Sequence, residues 1–529
     1  MTTALTYSML GVYVAVMIGI GIYTYRKTKT VNDFVLGGRN VGPWLTAFAY
    51  GTSYFSAVVF IGYAGQFGWS YGISTVWIGI GNAVIGSALA WVILGRRTRL
   101  MTHKLGAKTM PEYFEKRFGS KSLKIAASLI VFIFLIPYTA SVYNGLSRLF
   151  DMALGIQSDI SYKIIIILMA VITAVYVILG GYAATAINDF IQGIIMLGGI
   201  VAVVICTVYN QGGFAESVQK LSEITTAEGD PAQLGSAFGP DPINLIGVVI
   251  LTSLGTWGLP QMVGKFYAIK EDGSKKIIRS GTIISTLFAF VVAGGSYLLG
   301  GFDRLFCTLS GEEGKTAINV LDNGKPEFDA MIPSLLERAL PGILIALVVV
   351  LVFSASMSTL SSLVLTSSST LTIDFIKPRM KSLSEKKEVI IMRVLIAAFL
   401  IISVLIAFNK NASISTLMSY SWGALAGAFL GPFMMGLFSK KVTAASVWVS
   451  FILGIGITVT HMVLFGFGWF PELAKSAASF PLNLASPINA GAITMILSIV
   501  AVPVVSLFTK KPDEKLVDEV FECYNVAEK

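Results

Sequence analysis

About thirteen stretches of this sequence are apolar over the roughly 20 residues that a helix needs to cross a bilayer. They cover residues 7–26, 43–69, 72–95, 123–150, 162–179, 185–210, 243–267, 277–302, 341–373, 389–408, 413–438, 443–466 and 489–509. Charged residues make up only 13% of the 529 residues, whereas a soluble protein carries about 25%. The pattern excludes a soluble enzyme and predicts an all-α polytopic membrane protein.

Charge is concentrated in the loops between these stretches. The loops after the first and third stretches are rich in lysine and arginine, and the alternating loops are acidic. Because basic loops stay on the cytoplasmic side, thirteen spans place the N-terminus outside and the C-terminus in the cytoplasm of a cell membrane. The net charge of +9 therefore indicates orientation in a lipid bilayer, and predicts no nucleic-acid partner. Nothing in the sequence predicts an obligate protein partner.

No loop is long enough to hold a separate soluble domain. We expect a single transmembrane domain over residues 1–509, followed by a charged and solvated cytoplasmic tail over 510–529. The two longest connections, near 211–242 and 303–340, are expected to hold short helices.

Signatures of enzymes are missing from the sequence. The two histidines, His103 and His461, belong to no cluster with metal-binding spacing. A phosphate-binding GxxxxGK[ST] loop is missing as well, which argues against an ATP-driven pump. We therefore predict that the chain is not an enzyme and that an ion gradient supplies its energy.

The densest polar run inside an apolar stretch begins at Phe353 and reads Phe-Ser-Ala-Ser-Met-Ser-Thr-Leu-Ser-Ser. Ser358 and Ser362 are four residues apart, so a helix would place them on one face. Hydroxyl and carbonyl oxygens are hard ligands that suit a small hard cation. Close helix packing through small residues is the alternative explanation.

Asp189 is a carboxylate near the start of the sixth stretch. Its burial in a membrane is unfavourable unless it meets a cation or hydrogen-bond donors. The alternative is a helix N-cap, for which aspartate is well suited.

Two stretches are interrupted in a way that predicts broken helices. The second contains Gly51, Gly62 and Gly65, and the seventh contains Gly258 followed by Pro260. They begin two consecutive groups of five stretches, over about 43–210 and 243–438. Interrupted helices at matching positions of two repeats indicate the binding site of a transporter. A plain proline kink is the alternative.

Several short motifs occur in an order that resembles the sodium:solute symporter family, which includes the bacterial proline and pantothenate carriers. They are Asp33-Phe-Val-Leu-Gly-Gly-Arg39, Val41-Gly-Pro43, Thr109-Met-Pro-Glu-Tyr-Phe114, Ser147-Arg-Leu-Phe150, Gly180-Gly181 before Asp189, and Ser356-Met-Ser-Thr-Leu-Ser361. The resemblance implies a LeuT-like fold of two inverted five-helix repeats, with one extra helix before the core and two after it.

The resemblance also implies sodium as the coupling ion and assigns its ligands. The main sodium site corresponds to Thr52 and Phe55 in the first broken helix and to Ala355, Ser358 and Thr359 in the hydroxyl-rich helix. A second sodium site, present in some members, corresponds to Asp189, Ser361 and Ser362.

The solute is expected between the two broken helices, where the N-terminus of a half-helix favours an anionic group. The residues expected to line this position are Tyr54, Ser56, Tyr138, Thr256, Trp257 and Gln261. Proline carriers of the family have an aspartate at the position of Tyr54, and sialic acid symporters have an arginine where this chain has Tyr138 and Thr139. The Gly258-Leu-Pro260 step is closer to the pantothenate carriers.

The sequence thus predicts a sodium-coupled symporter that imports a small carboxylate-bearing solute, amino-acid-like or pantothenate-like, by alternating access. Three alternatives stay open: a proton-coupled carrier of the same fold, a sodium symporter for a sugar or another solute, and a membrane sensor.

Overall fold

A computed structural model describes residues 2–26, 28–154, 159–226, 228–270, 274–309, 314–321, 325–380, 383–408 and 413–526. This part of the chain is almost entirely helical. Its α-helices are α1 Thr2–Tyr25, α2 Val31–Leu36, α3 Pro43–Tyr54, α4 Ala64–Tyr71, α5 Val76–Gly81, α6 Arg96–Lys104, α7 Met110–Phe118, α8 Lys121–Leu154, α9 Asp159–Asn210, α10 Phe214–Ser222, α11 Pro242–Gly258, α12 Pro260–Tyr267, α13 Ser274–Gly301, α14 Met331–Ala339, α15 Gly342–Thr370, α16 Glu385–Ala407, α17 Ile414–Phe438, α18 Ala444–His461, α19 Pro471–Ala478, α20 Pro487–Phe508 and α21 Glu514–Val526.

The two long connections have little regular structure. The first holds α10, and the second holds α14 together with a short parallel strand pair, β1 Cys307–Thr308 and β2 Thr316–Ala317. The expected short helices are therefore present, and the strand pair is an addition that the sequence analysis did not predict.

Ten helical segments are long and apolar enough to cross a membrane, or eleven if the bent pair α11–α12 forms one span. Two of them, Val58–Lys104 and Ile160–Asn210, have 47 and 51 residues, about twice the length that one crossing needs. Gly72 and Gly181 interrupt them with φ angles of +58° and +54°. A Cβ at position 181 would lie 2.7 Å from a backbone oxygen of Phe34, so this turn requires glycine.

Both broken helices predicted from the sequence are present. α3 ends at Tyr54, and Phe55 adopts an extended backbone with φ −104° and ψ 118°. α11 ends at Gly258, and α12 starts at Pro260 after a bend of 43°. Proline lacks an N–H and disfavours helical geometry in the residue before it, and Leu259 accordingly has φ −81° and ψ 122°.

The hydroxyl-rich helix α15 lies in the middle of the protein. It packs against α8, α9, α1 and α3, and its side chains from Val348 to Leu365 are all buried. The first broken helix, α3, also packs against α9 and α13. This arrangement brings the predicted cation ligands of α3, α9 and α15 to one place.

The C-terminal tail differs from the solvated segment that we expected. Its helix α21 packs against α6 and α7, with an ion pair of 2.8 Å between Lys104 Nζ and Glu522 Oε2. Two side chains of α21, Phe521 and Cys523, are buried in this contact. The expectation was wrong for 514–526 because the tail has an apolar face that covers the basic loop region; residues 527–529 lie outside the described part of the chain.

Candidate functional site

Backbone and hydroxyl oxygens converge where α3 breaks beside α15. Thr359 Oγ1 lies 3.4 Å from the carbonyl oxygens of Thr52 and Ser53, and 3.3 Å from that of Ala355. Ser358 Oγ lies 2.9 Å from Thr52 Oγ1. Four of the five residues expected to bind the main sodium ion are therefore in mutual contact.

Two of these hydroxyl groups also donate to acceptors outside the cluster. Ser358 donates to Asp189 Oδ1 at 2.6 Å, and Thr52 Oγ1 donates to the carbonyl oxygen of Phe48 at 2.8 Å. Each hydroxyl has one proton and two acceptor lone pairs. Thr52 Oγ1 accepts one hydrogen bond, from Ser358, and Ser358 Oγ accepts none among the described contacts, so each oxygen keeps a lone pair for a cation.

Phe55, the fifth expected ligand, lies at the break itself. Its N–H donates to the carbonyl oxygen of Gly51 at 3.4 Å, and its ring is 6.2 Å from that of Phe288. Among the described residues, no hydrogen bond joins Phe55 to α15. Its carbonyl oxygen as a sodium ligand stays a prediction.

Asp189 is buried inside α9 and is paired with a lysine. Its carboxylate Oδ2 lies 3.6 Å from Lys265 Nζ of α12, and the two side chains are 0% and 4% exposed. Lys265 also donates to Ser362 Oγ at 2.9 Å and lies 5.3 Å from the ring centre of Tyr182. Two of the three residues expected for a second sodium site, Asp189 and Ser362, thus contact an ammonium group.

The alternative interpretation of Asp189 as a helix N-cap is wrong. The break in α9 is at Gly181, so Asp189 lies about two turns inside the helix that follows. Its partner is a hydroxyl group on α15, as a carboxylate in a membrane interior requires.

The other two hydroxyls of the expected second site point in different directions. Ser361 donates along its own helix to the carbonyl oxygen of Ser358 at 2.8 Å. Ser362 lies 2.8 Å from the hydroxyl of Ser53 and accepts from Lys265. Only Ser362 therefore joins the Asp189–Lys265 pair directly.

Two of the six residues expected to bind the solute form an aromatic cluster with Trp422 of α17. The ring of Tyr54 stacks on Trp422 at 5.8 Å and 24°, and the ring of Tyr138 meets it edge-on at 6.0 Å and 80°. Tyr54 Oη also contacts Asn82 Oδ1. Ser56 is buried at the break of α3, where it accepts from the N–H of Val58 at 3.2 Å.

The residues expected from the second broken helix make their hydrogen bonds outside the Trp422 cluster. Thr256 Oγ1 and Trp257 Nε1 donate to the carbonyl oxygens of Gly86 and Ile85 at 3.0 and 2.9 Å. These two side chains thus join α11 to the neighbouring helical segment Asn82–Leu89. Gln261 instead lines a cavity with Lys265 that extends to Lys108, two residues before α7.

Three further residues at the site, Lys265, Trp422 and Asn82, were not expected from the sequence. Lys265 had a usable signal, because an ionisable residue within an apolar stretch marks a functional position by default. Trp422 and Asn82 had no such signal in the sequence, since a single aromatic or amide side chain in an apolar helix does not by itself mark a functional position. Their roles depend on contacts with α3.

Three buried polar groups around Tyr54 lack a hydrogen-bond partner of normal geometry among the described residues. They are Tyr138 Oη, Trp422 Nε1 and Asn82 Nδ2. All three can donate a proton. Because a buried donor without a partner is unfavourable, this cluster is suited to a ligand that brings acceptor oxygens.

Comparison with known protein families gives a match to the sodium:solute symporter family over residues 34–454. The osmoregulated proline transporter OpuE of Bacillus subtilis is 30% identical over 510 residues, which cover 95% of this chain and 94% of that protein. The sodium/proline symporter of Staphylococcus aureus is 30% identical over 518 residues, which cover 96% and 93% of the two chains.

Solved structures support the same fold. A Na+-coupled sialic acid symporter superimposes with a TM-score of 0.71 at 20% identity, covering 96% of this chain and 99% of the other. A transporter of the nucleobase-cation-symport-1 family superimposes with a TM-score of 0.50 at 14% identity. The chain therefore has the LeuT-like fold of these transporters.

Proposed function

Because this chain belongs to the sodium:solute symporter family, a family of membrane transporters and not of enzymes, we propose that it imports a small carboxylate-bearing solute together with sodium. The observation that supports sodium as the coupling ion is the convergence of four residues at the break of α3: Thr52, Ala355, Ser358 and Thr359. A site built from carbonyl and hydroxyl oxygens is typical for a small hard cation.

The chemistry of the aromatic cluster supports a carboxylate on the solute. Its unpartnered groups, Tyr138 Oη, Trp422 Nε1 and Asn82 Nδ2, are donors that a carboxylate would accept from. The relatives are named as proline transporters, and proline carries such a group. The solute class that we propose is therefore amino-acid-like or pantothenate-like, and proline is the first compound to test.

We also propose thirteen membrane spans, with the N-terminus outside and the C-terminus in the cytoplasm. Division of the two double-length helical segments at Gly72 and Gly181 supports this count. The core repeats would cover about 43–210 and 243–438 within one domain, 1–509, and the tail 510–529 would lie at the cytoplasmic face. Alternating access would then move the two repeats around the broken helices.

A proton-coupled carrier is the second candidate function, because the buried pair of Asp189 and Lys265 could exchange a proton. Uptake assays in proteoliposomes distinguish the two candidates. Radiolabelled proline uptake should require an inward sodium gradient and should be absent with a proton gradient in sodium-free buffer. Uptake driven by protons alone would contradict sodium coupling.

Competition assays test the solute class with matched pairs of compounds. Proline and pantothenate should each compete better than prolinamide and pantothenol, which lack the carboxylate. Uptake of an uncharged sugar that no carboxylate inhibits would contradict the proposed solute class.

Replacing Tyr138 by Phe should weaken solute binding while leaving sodium binding unchanged. The substitution removes a hydroxyl group that lies near Trp422 and Ser56 but makes no hydrogen bond of normal geometry in the described structure, so stability should change little. A hydrogen bond to a charged group contributes about 1.5–3 kcal/mol, which corresponds to a loss of affinity of roughly ten- to a hundredfold.

Tyr143→Phe is the matched control, because Tyr143 is a second fully buried tyrosine on the same helix. Its uptake kinetics should match those of the wild-type protein. If the two substitutions changed the half-saturating solute concentration equally, the proposed role of Tyr138 in binding the solute would be wrong.

A further inference from the structure

We propose that the ammonium group of Lys265 is the built-in cation of the second site, so that this transporter binds one sodium ion per cycle. The inference rests on the proposed function, because it concerns the number of ions that the same machinery carries. It assigns to Lys265 the position between Asp189 and Ser362 that a second sodium ion would otherwise occupy.

The contacts of Lys265 are those that a bound cation would make. Its Nζ atom lies 3.6 Å from Asp189 Oδ2 and donates to Ser362 Oγ at 2.9 Å. The face of the Tyr182 ring lies 5.3 Å away, a geometry in which an aromatic ring attracts a cation. A carboxylate, a hydroxyl and an aromatic ring thus converge on one positive charge.

Charge balance makes the ammonium group and a sodium ion mutually exclusive at this position. Both partners of the pair are almost completely buried, at 0% and 4% exposure, and together they are neutral. In the part of the chain that the structure describes, Asp189 is the one carboxylate that pairs with Lys265. A sodium ion added at this position would lie directly against the ammonium group, and the repulsion between two buried positive charges that share one carboxylate is strongly unfavourable.

Lys265 lines a cavity that Asp189 does not reach. The cavity lined by Gln261, Lys265 and Ser362 extends to Lys108 and Thr109 beside the basic loop. Asp189 is not among its lining residues. A cation that entered through this cavity would therefore meet the ammonium group before the carboxylate.

The main sodium site stays intact in this arrangement. Lys265 faces Asp189 Oδ2, whereas Ser358 holds the other carboxylate oxygen, Oδ1, at 2.6 Å. The hydroxyl groups of Ser358 and Thr359 keep their positions next to Thr52. Lys265 is thus a positioning residue for the carboxylate and fixes the ion count, while the sodium ion at α15 provides the coupling.

The test is the number of radioactive sodium ions that the purified full-length protein binds at saturation, without solute. The wild-type protein should bind one ion. Lys265→Met removes the charge but keeps most of the apolar stem, and it should bind two ions with a Hill coefficient that rises from one toward two. Lys265→Arg keeps the charge and should bind one.

The double substitution Lys265→Met with Asp189→Asn removes the carboxylate ligand as well, and it should return to one ion. Lys265→Gln repeats the experiment if the Met variant does not fold. Two ions bound by the wild-type protein, or one ion bound by a folded Lys265→Met or Lys265→Gln variant, would overturn the inference.

The same measurements separate this inference from the proposed function. A wild-type protein that binds no sodium would overturn both. A wild-type protein that binds one ion, with a neutral variant at position 265 that also binds one, would leave sodium coupling in place and overturn only the role of Lys265.

Discussion

Thr359→Ala is expected to weaken sodium binding by roughly ten- to a hundredfold, because a contact between a hydroxyl group and a charged partner contributes about 1.5–3 kcal/mol. The Thr359 hydroxyl lies 3.4 Å from the carbonyl oxygens of Thr52 and Ser53 in α3. It also lies 3.3 Å from the carbonyl oxygen of Ala355. Alanine is the best helix former, so the fold should survive. The measurement is the sodium concentration that gives half-maximal uptake.

Thr359→Ser is the matched control, because it keeps the hydroxyl group and removes only a methyl group. Its sodium affinity should stay close to that of the wild-type protein. Ser358→Ala should also weaken sodium binding. It should reduce stability as well, since it removes the hydrogen bond to the buried carboxylate of Asp189. Unchanged sodium dependence in both alanine variants would exclude this cluster as the main sodium site.

Asp189→Asn is expected to abolish sodium-driven uptake and to lower the free energy of unfolding by about 3–5 kcal/mol, the usual effect of removing one partner from a buried ion pair. The reason is that Lys265, only 4% exposed, would lose its compensating charge. A helix N-cap at this position would lose about 1 kcal/mol or less, because asparagine caps nearly as well as aspartate. Thermal or denaturant unfolding in detergent measures the difference.

A double-mutant cycle gives this prediction its control. The combined variant Asp189→Asn with Lys265→Met removes both charges and should recover most of the stability lost in the single variant. Additive losses in the two single variants would show that the two side chains do not interact. In that case the ion pair would not explain the effect of the aspartate substitution.

The broken helices could be predicted from the sequence because their causes are local. Pro260 removes a hydrogen-bond donor and restricts Leu259, and the chain bends at that step. Apolar length and loop charge are also local properties. They indicated a polytopic helical protein, although two helical segments, which Gly72 and Gly181 interrupt, are about twice as long as a single span.

The hydroxyl-rich run could be assigned to a cation site in part. Residues four apart share a helix face, so Ser358 and Ser362 were expected on one side of α15. The same run would also suit close helix packing, and the periodicity alone does not distinguish the two. The distinction depends on the carbonyl oxygens of α3 that lie opposite Thr359.

The sequence by itself determined the fold class, the two helix breaks and the hydroxyl-rich face of α15, because each of these follows from the chemistry of neighbouring residues. The ligands of the proposed main sodium site came from the family resemblance. Only the tertiary structure decided that Lys265 neutralises Asp189, that Trp422 joins Tyr54 to Tyr138, and that the tail covers the basic loop region. These are contacts between elements far apart in the chain. Neither hydrophobic periodicity nor residue spacing indicates which face of one helix packs against another. Burial, which depends on that packing, determines which charged side chains need a partner of opposite charge.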